Sequence, residues 1–167
     1  MEKAERTFEQ LLVDHQGLIR KICRIYGKSR DDQEDLFQEI TIQLWRSFST
    51  FRGESKFATW LYRIALNTAI TFKRKEKRRP PTSSLSEEVV RMSASTEEAT
   101  DEEALQSMHW AIRQLQHVDR AIIFLYLEEK SYAEIAEIIG ITPKYVGVKI
   151  VRIKAKLLDL LTRDHGK

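Results

Sequence analysis

The stretch SYAEIAEIIGITPKYVGVKIVRIKAKLL, residues 131–158, predicts two helices joined by a tight turn. Ser131 followed three residues later by Glu134 is a capping box, in which a hydroxyl and a carboxylate satisfy first-turn backbone amides. Gly140 stands where a left-handed residue would end the first helix. Thr142 is suited to begin the second helix, because the proline after it needs no N–H at the first helical position. This order of elements is typical of a helix-turn-helix.

The second of these helices has an apolar side and a basic side. Its apolar residues recur at helical spacing, which predicts one buried stripe: Val146, Ile150, Ile153, Leu157 and Leu160. Five residues are expected to project away from that stripe: Lys144, Tyr145, Lys149, Arg152 and Lys156. Such a helix fits the major groove of duplex DNA, but a solvated basic face on an ordinary helical hairpin would give the same pattern. Gly147 should cost about 1 kcal/mol relative to alanine. It is either tolerated or lets a backbone come close.

The composition favours helices and places the two signs of charge in different segments. Only three prolines and six glycines interrupt 167 residues, and the net charge is +3. Residues 73–79 carry six basic side chains against one acid, whereas residues 87–103 carry seven acids against one arginine. A partner of either charge would therefore meet particular segments of the chain rather than its whole surface.

Several classes of protein are excluded by the residues present. Cys23 is the single cysteine, which excludes an internal disulfide and indicates a reducing, cytoplasmic setting. We expect a soluble protein without membrane insertion, because the start of the chain lacks a signal-peptide core and the longest apolar run, residues 121–127, is too short to span a bilayer. The histidines are scattered, so no metal site is expected. The sequence contains no nucleophile arrangement and no phosphate-binding glycine loop, so we expect neither an enzyme nor a cofactor.

Two helices are predicted before residue 49. Apolar residues keep helical spacing from Phe8 to Tyr26, and Gly27 ends the run. A second helix is expected from the capping residues at Ser29 to about Phe48. Its outward side carries Asp35, Gln38, Glu39, Ile42, Gln43 and Arg46, with Trp45 at the margin. This side is either a plain solvated surface or a surface for a partner.

A third helix is predicted after the loop STFRGE, residues 49–54, with Ser55 as its cap. Its inner stripe is expected to be Phe57, Trp60, Leu61, Ile64, Thr68 and Phe72. Polar and basic residues alternate with that stripe: Lys56, Thr59, Arg63, Asn67 and Arg74. Aromatic rings beside cations and amides are suited to hold single-stranded DNA, the rings by stacking on bases and the cations by contacting phosphates. The alternative is that the aromatic residues are simply core.

The region after Pro80 is predicted to be a flexible acidic linker, residues 80–103, because it is rich in Ser, Thr, Pro and Glu. The fold class expected is therefore all-α, with two small helical domains, residues 1–79 and 104–167, on either side of the linker. The second domain should contain four helices and end in the helix-turn-helix.

Once both halves are laid out, the chain resembles a bacterial RNA polymerase sigma factor of the extracytoplasmic-function type (group IV). DQEDLFQEITIQLWRSF, residues 32–48, resembles the helix that these factors dock on the clamp coiled coil of the polymerase. FRGESKFATWLYRIALNTAITFKRKEKRR, residues 51–79, resembles the segment that recognises and opens the minus-ten element. Residues 131–158 resemble the helix-turn-helix that reads the minus-thirty-five element.

The resemblance implies a role for each of these segments. The residues facing core RNA polymerase would be Asp35, Gln38, Glu39, Ile42, Gln43 and Trp45. Minus-ten DNA, with its melted non-template strand, would be bound by Phe51, Arg52, Ser55, Lys56, Trp60, Arg63, Asn67 and Arg74. Duplex DNA of the minus-thirty-five element would be bound by Thr142, Lys144, Tyr145, Lys149, Arg152 and Lys156. An anti-sigma factor is a possible further partner.

The function expected is that of a transcription initiation factor, which directs core RNA polymerase to promoters and assists DNA melting. The alternative is a free-standing helix-turn-helix regulator that binds duplex operators. That alternative leaves Trp60 and the loop before it without a task.

Overall fold

The computed structural model describes residues 2–78 and 99–164, with side chains over 7–78 and 101–163. The described residues form seven α-helices, three before the gap and four after it, and the predicted all-α class is confirmed. Residues 80–98 of the predicted linker lie outside the described residues. Its last residues are helical, because α4 begins at Ala99. The predicted start of the second half at residue 104 therefore falls inside α4, whose first turn is favoured by the acidic Asp101 and Glu102.

The first half consists of α1 (Glu2–Tyr26), α2 (Arg30–Phe48) and α3 (Phe57–Arg78). The corner between α1 and α2 requires glycine. A Cβ atom on Gly27 would lie 2.5 Å from Gln33 Cγ and 2.8 Å from the carbonyl oxygen of Cys23. Ser29 then caps α2, its Oγ accepting a hydrogen bond of 3.1 Å from the Asp32 amide. Both helix boundaries agree with the prediction.

The start of α3 and its buried side differ from the prediction. The carbonyl of Lys56, not Ser55, accepts from the Trp60 amide at 3.2 Å, so the predicted cap at Ser55 is wrong. Of the expected inner stripe only Leu61 is fully buried, while Phe57, Trp60, Ile64, Thr68 and Phe72 are half-buried. The buried residues are Leu61, Tyr62, Ala65, Leu66, Ala69, Ile70 and Lys73. The stripe is rotated because the second half also packs on α3.

The second half consists of α4 (Ala99–Arg113), α5 (His117–Leu127), α6 (Tyr132–Ile139) and α7 (Pro143–Asp164). Helix α5 is buried from Arg120 to Leu125, because α3, α4, α6 and α7 pack around it. The stripe predicted on α7 is confirmed from Val146 to Leu157, and Leu160 is half-buried. Within the described ranges, no helix has both the length and the apolar character needed to cross a membrane.

The two halves contact each other along α1 and α3. At the end of α1 the Tyr26 hydroxyl donates to the carbonyl of His117 at 2.6 Å. Arg120 is buried, and its guanidinium donates to the carbonyls of Arg113 (2.7 Å) and Leu115 (3.2 Å) and lies 5.0 Å from the centre of the Tyr26 ring. These contacts make one continuous core from both halves.

Candidate nucleic-acid interface

The local geometry of α6 and α7 is that of the predicted helix-turn-helix. The Ser131 amide donates to the Glu134 carboxylate at 2.8 Å, and the Glu134 amide donates to Ser131 Oγ at 3.1 Å, which confirms the capping box. Gly140 adopts φ 88° and ψ 37°, the left-handed conformation that ends α6. The Tyr145 amide donates to Thr142 Oγ1 at 3.2 Å. The sequence therefore fixes both ends of the turn and the direction in which α7 leaves it.

The basic side of α7 is exposed, with one exception. Lys144, Tyr145, Arg152 and Lys156 are exposed, as is Thr142 in the turn. Lys149 was expected to project freely, but it is half-buried and its Nζ lies 2.9 Å from the Asp119 carboxylate of α5. Lys149 borders the buried stripe of α7, so its side chain contacts α5 instead of extending into solvent. The exposed basic side of α7 therefore contains one residue fewer than predicted.

Beside the basic side, α7 carries an exposed apolar strip that the sequence reasoning missed. Val148, Val151 and Leu158 are 39%, 68% and 65% exposed. They recur three and seven residues apart, which is helical spacing on the side away from the buried stripe. This helical spacing is the feature of the sequence from which the exposed apolar strip could have been predicted. The strip gives α7 a third face, suited to contact with apolar groups rather than phosphates.

Gly147 faces a side chain and not a backbone. A Cβ atom there would lie 3.4 Å from Cε2 of Tyr132 on α6, which is an ordinary contact distance. The sequence left two explanations open, tolerance of the glycine or a close backbone. The structure favours tolerance.

An aromatic cluster lies at the start of α3. The ring centroids of Phe51, Phe57 and Trp60 are 5.1–5.7 Å apart. Phe48 and His15 flank them, at 6.4 Å from Trp60 and 5.0 Å from Phe57. All of these residues are half-buried. These aromatic residues are therefore neither fully buried nor fully exposed, and the outer parts of their rings remain accessible.

The polar residues of this region surround the aromatic cluster unequally. Gly53 has φ 73°, which turns the loop that carries Arg52. Arg52, Lys56, Asn67 and Arg74 are exposed, and Ser55 is half-buried. Arg63 is exposed too, but its Nη2 donates to the carbonyl of Glu137 on α6 at 2.7 Å. One predicted DNA-binding cation is therefore engaged by the second half.

The outward side of α2 combines acidic, amide and apolar groups. Asp35 and Gln38 are exposed. Gln43 Nε2 donates to Glu39 Oε1 at 3.1 Å, and both residues are half-buried. Two large apolar residues stand out on the same side, Ile42 at 44% and Trp45 at 47% exposed. Trp45 also packs edge-on against Phe8 at 5.0 Å. Acids beside exposed apolar side chains suit a protein partner better than DNA.

One cation near the end of α3, Lys73, is paired inside the protein. Lys73 Nζ is buried between the carboxylates of Asp32 (2.8 Å) and Glu76 (2.9 Å). Burial raises the pKa of the Asp32 carboxyl, but hydrogen bonds from Lys73 and from the Lys28 amide outweigh burial and leave that pKa below its ordinary value. Among the side chains described, no cluster of three His, Cys, Asp or Glu is placed to hold a metal ion.

The sequence of each half matches a known family region. Residues 11–79 match Sigma-70 region 2, and residues 105–157 match Sigma-70, region 4. The chain is 43% identical over 77 residues to the ECF RNA polymerase sigma-E factor of Haemophilus influenzae, covering 46% of this chain and 40% of that protein. It is 40% identical over 79 residues to the sigma-E factor of Escherichia coli strain K12, covering 47% and 41%. The match thus spans about two-fifths of the length of these relatives.

Two solved structures share the fold over nearly the whole chain. CnrH, in complex with the cytosolic domain of CnrY, has a TM-score of 0.68 at 24% identity, covering 96% of this chain and 90% of that one. The sigma factor RpoE of Bartonella quintana, in complex with the anti-sigma factor NepR, has a TM-score of 0.69 at 22% identity, covering 94% and 98%. With both sigma-70 regions present in chain order, the chain belongs to the sigma-70 factors, and the curated relatives it matches are sigma factors of the extracytoplasmic-function type.

Proposed function

We propose that this sigma factor binds core RNA polymerase and directs it to promoters, with one half on the minus-ten element and the other on the minus-thirty-five element. The observation that carries the proposal is the presence of two different DNA-suited surfaces on separate halves. One is the exposed basic side of a helix-turn-helix, and the other is an accessible aromatic cluster next to a cationic helix. A single duplex-binding function would use only the first.

The helix-turn-helix half binds duplex DNA in this proposal. Lys144, Arg152 and Lys156 contact phosphates or base edges in the major groove, and Thr142 and Tyr145 contact the DNA backbone at the start of α7. Lys149, which is paired with Asp119, lies 5.8 Å from the centre of the Tyr145 ring and supports that ring without contacting a phosphate itself. Each phosphate contact that is removed should lower the slope of log affinity against log salt by about one. Arg152→Ala tests this expectation in a salt titration with duplex DNA.

The first half binds melted DNA in this proposal. Trp60 and Phe51 offer ring faces and edges to unstacked bases, each stack contributing about 1–3 kcal/mol. Arg52, Lys56, Arg63, Asn67 and Arg74, with Ser55 in the loop, supply donors to phosphates and base edges. In this proposal the aromatic cluster binds unstacked bases, whereas duplex binding alone would leave the cluster without a role.

The outward side of α2 meets the polymerase in this proposal. Its acids would be repelled by DNA, while Ile42 and Trp45 offer the kind of apolar contact that anchors protein interfaces. Asp35, Gln38, Glu39 and Gln43 would surround those two anchors. Two fold neighbours were solved with an anti-sigma factor or a cytosolic partner domain, so we include an anti-sigma factor among the partners of this chain.

The decisive experiment is transcription with purified core RNA polymerase and pooled genomic templates, followed by sequencing of transcript 5′ ends. We expect the protein to create new start sites that share two upstream elements. Absence of both core binding and new start sites, together with tight duplex binding by the protein alone, would favour the free-standing regulator.

A charge reversal separates polymerase binding from DNA binding. A partner surface complementary to the acids of α2 would be basic. Asp35→Arg would then place like charges opposite each other and should weaken core binding by tenfold or more, about 1.4 kcal/mol. Asp14→Arg makes the same charge change at an exposed site on α1 and serves as the matched control. Equal loss in the two variants, or loss of duplex binding by Asp35→Arg, would contradict this assignment.

A further inference from the structure

Helix α5 meets the basic side of α7 through one carboxylate. Asp119 lies in the first turn of α5, and its Oδ1 is 2.9 Å from Lys149 Nζ, with the two side chains 18% and 24% exposed. The same ammonium lies 5.8 Å from the centre of the Tyr145 ring, which is one turn earlier on α7. These three residues therefore form a chain of contacts from α5 to the start of α7.

Lys149 differs from the other cations on the basic side of α7. Lys144, Arg152 and Lys156 are exposed, and the described side chains place no carboxylate in ion-pair contact with them. An exposed cation reaches a phosphate by turning its own side chain. Lys149 must first leave Asp119, and the mostly buried carboxylate would then lose its partner. A half-buried pair is also screened less by salt than an exposed one. Lys149 is therefore held away from phosphates.

Tyr145 is positioned from two sides at the start of α7. Its amide donates to Thr142 Oγ1 at 3.2 Å. The Lys149 ammonium lies close enough to the ring centre for cation–π attraction, which acts within about 6 Å. Tyr145 is nevertheless 43% exposed. Its outer part can therefore contact the DNA backbone while the rest of the ring keeps its place.

We propose that Asp119 is a positioning residue that limits sequence-independent binding of duplex DNA, because it holds Lys149 on α5 and beside the Tyr145 ring instead of on a phosphate. The proposal rests on the duplex binding that we assign to α7 above. Phosphate contacts give affinity without sequence information, and non-specific sites far outnumber promoters in a genome. One withheld lysine contact therefore leaves more of the protein available to its promoters.

Asp119→Asn tests the proposal, because it keeps the size of the side chain and removes the charge that holds Lys149. We expect the full-length variant to bind a fluorescein-labelled duplex of mixed sequence more tightly than wild type, with a slope of log affinity against log salt that is steeper by about 0.9. Between about 50 and 200 mM salt, the gain in affinity over wild type should then shrink about threefold. Asp119→Glu keeps a carboxylate within reach of Lys149 and should retain the wild-type slope.

Two controls separate the release of Lys149 from the general effect of removing an acid. Glu137→Gln removes one carboxylate from an exposed position on α6 and should leave the slope nearly constant. In a Lys149→Met background, Asp119→Asn should not steepen the slope, because the lysine that it would release is absent. Equal steepening with and without Lys149, or the same steepening in Glu137→Gln, would overturn the proposal.

Lysine acetylation read by mass spectrometry follows Lys149 directly. In the free wild-type protein, Lys149 should react more slowly than Lys144 and Lys156, and mixed-sequence duplex should protect Lys156 but not Lys149. In Asp119→Asn, Lys149 should react faster and become protected by the duplex. The buried Lys73 is the internal reference for folding, and its rate should stay constant. Asp119→Ser is a second neutral variant for which the same results are expected. An unchanged Lys149 rate in both neutral variants, or duplex protection of Lys149 in wild type, would contradict the proposal.

The results separate this inference from the proposed function. Arg152→Ala should lose about one unit of slope if α7 binds duplex DNA. That loss, together with an unchanged slope in Asp119→Asn, would mean that α7 binds DNA and that Asp119 does not restrain Lys149. Unchanged slopes in both variants would overturn both the inference and the DNA contact assigned to α7. A steeper slope in Asp119→Asn that requires Lys149 supports the inference, whether or not the protein creates new start sites with core polymerase.

Discussion

Replacing Tyr26 with phenylalanine removes one hydroxyl from the junction between the two halves and keeps the ring. Tyr26 is 1% exposed, and its hydroxyl donates at 2.6 Å from the end of α1 to the His117 carbonyl at the start of α5. Burial raises the pKa of Tyr26 well above its ordinary value, so the phenol stays protonated and continues to donate over the pH range of the experiment. The change therefore removes a single bond between the halves and creates no large cavity.

The expected cost follows from that one bond. A net hydrogen bond between neutral groups contributes about 0.5–1.5 kcal/mol. The phenyl ring would keep its contact with the Arg120 guanidinium, 5.0 Å from the ring centre. We expect the free energy of unfolding to fall by about 1 kcal/mol. Tm should then drop by about 2–4 °C if both halves unfold as one unit, and by about 4–8 °C if one half unfolds alone.

The measurement is thermal unfolding followed by far-UV circular dichroism, with Tyr132→Phe as the matched control. Tyr132 is 43% exposed, so its hydroxyl should contribute less than about 0.5 kcal/mol. The size of the Tyr26→Phe shift then reports whether the junction couples the halves. Identical transitions for the two variants would refute the idea that the hydrogen bond between α1 and α5 stabilises the contact between the two halves.

Three further substitutions test local features. Gly147→Ala should raise the free energy of unfolding by about 0.5–1 kcal/mol in urea titrations through helix propensity, whereas a loss would show that Tyr132 leaves no room. Burial and nearby cations lower the pKa of His117 to about 4 from 6.5, so the unfolded chain binds a proton that the folded chain does not, and stability should fall as pH drops through that window. In His117→Phe the loss of stability at low pH should be smaller by about 1–2 kcal/mol, which is less than the full pKa shift implies because His117 is partly exposed. An unchanged pH profile would contradict the assignment. Lys149→Met leaves Asp119 unpaired and should lower stability by about 1 kcal/mol while the salt dependence of duplex binding stays nearly constant; a full unit of lost slope would show that Lys149 contacts phosphate.

The features that the sequence predicted well are those set by short-range chemistry. The capping box at Ser131, the left-handed Gly140 and the Ser29 cap each depend on residues within four positions of one another. Helical periodicity likewise identified the buried side of α7 from Val146 to Leu157, because only α7's own half packs on it.

Predictions failed where distant parts of the chain meet. The buried stripe of α3 was placed one step around the helix, since nothing local reveals that Tyr62 packs against Phe124 of the other half, with ring centroids 6.3 Å apart. Nothing local predicts the burial of Arg120, whose guanidinium donates to carbonyls of α1 and of the α4–α5 turn. Lys149 is engaged by Asp119, a residue thirty positions away.

The polar contacts between the halves are individually weak. Lys21–Glu128 is a half-exposed ion pair, and Arg63 to Glu137 and Tyr26 to His117 are single donors to backbone carbonyls. Each is worth about 1 kcal/mol net. The larger contribution comes from the apolar core that the halves share, in which Tyr62 packs against Phe124. Substitution of one polar contact should therefore lower stability by a small step and leave the halves packed together.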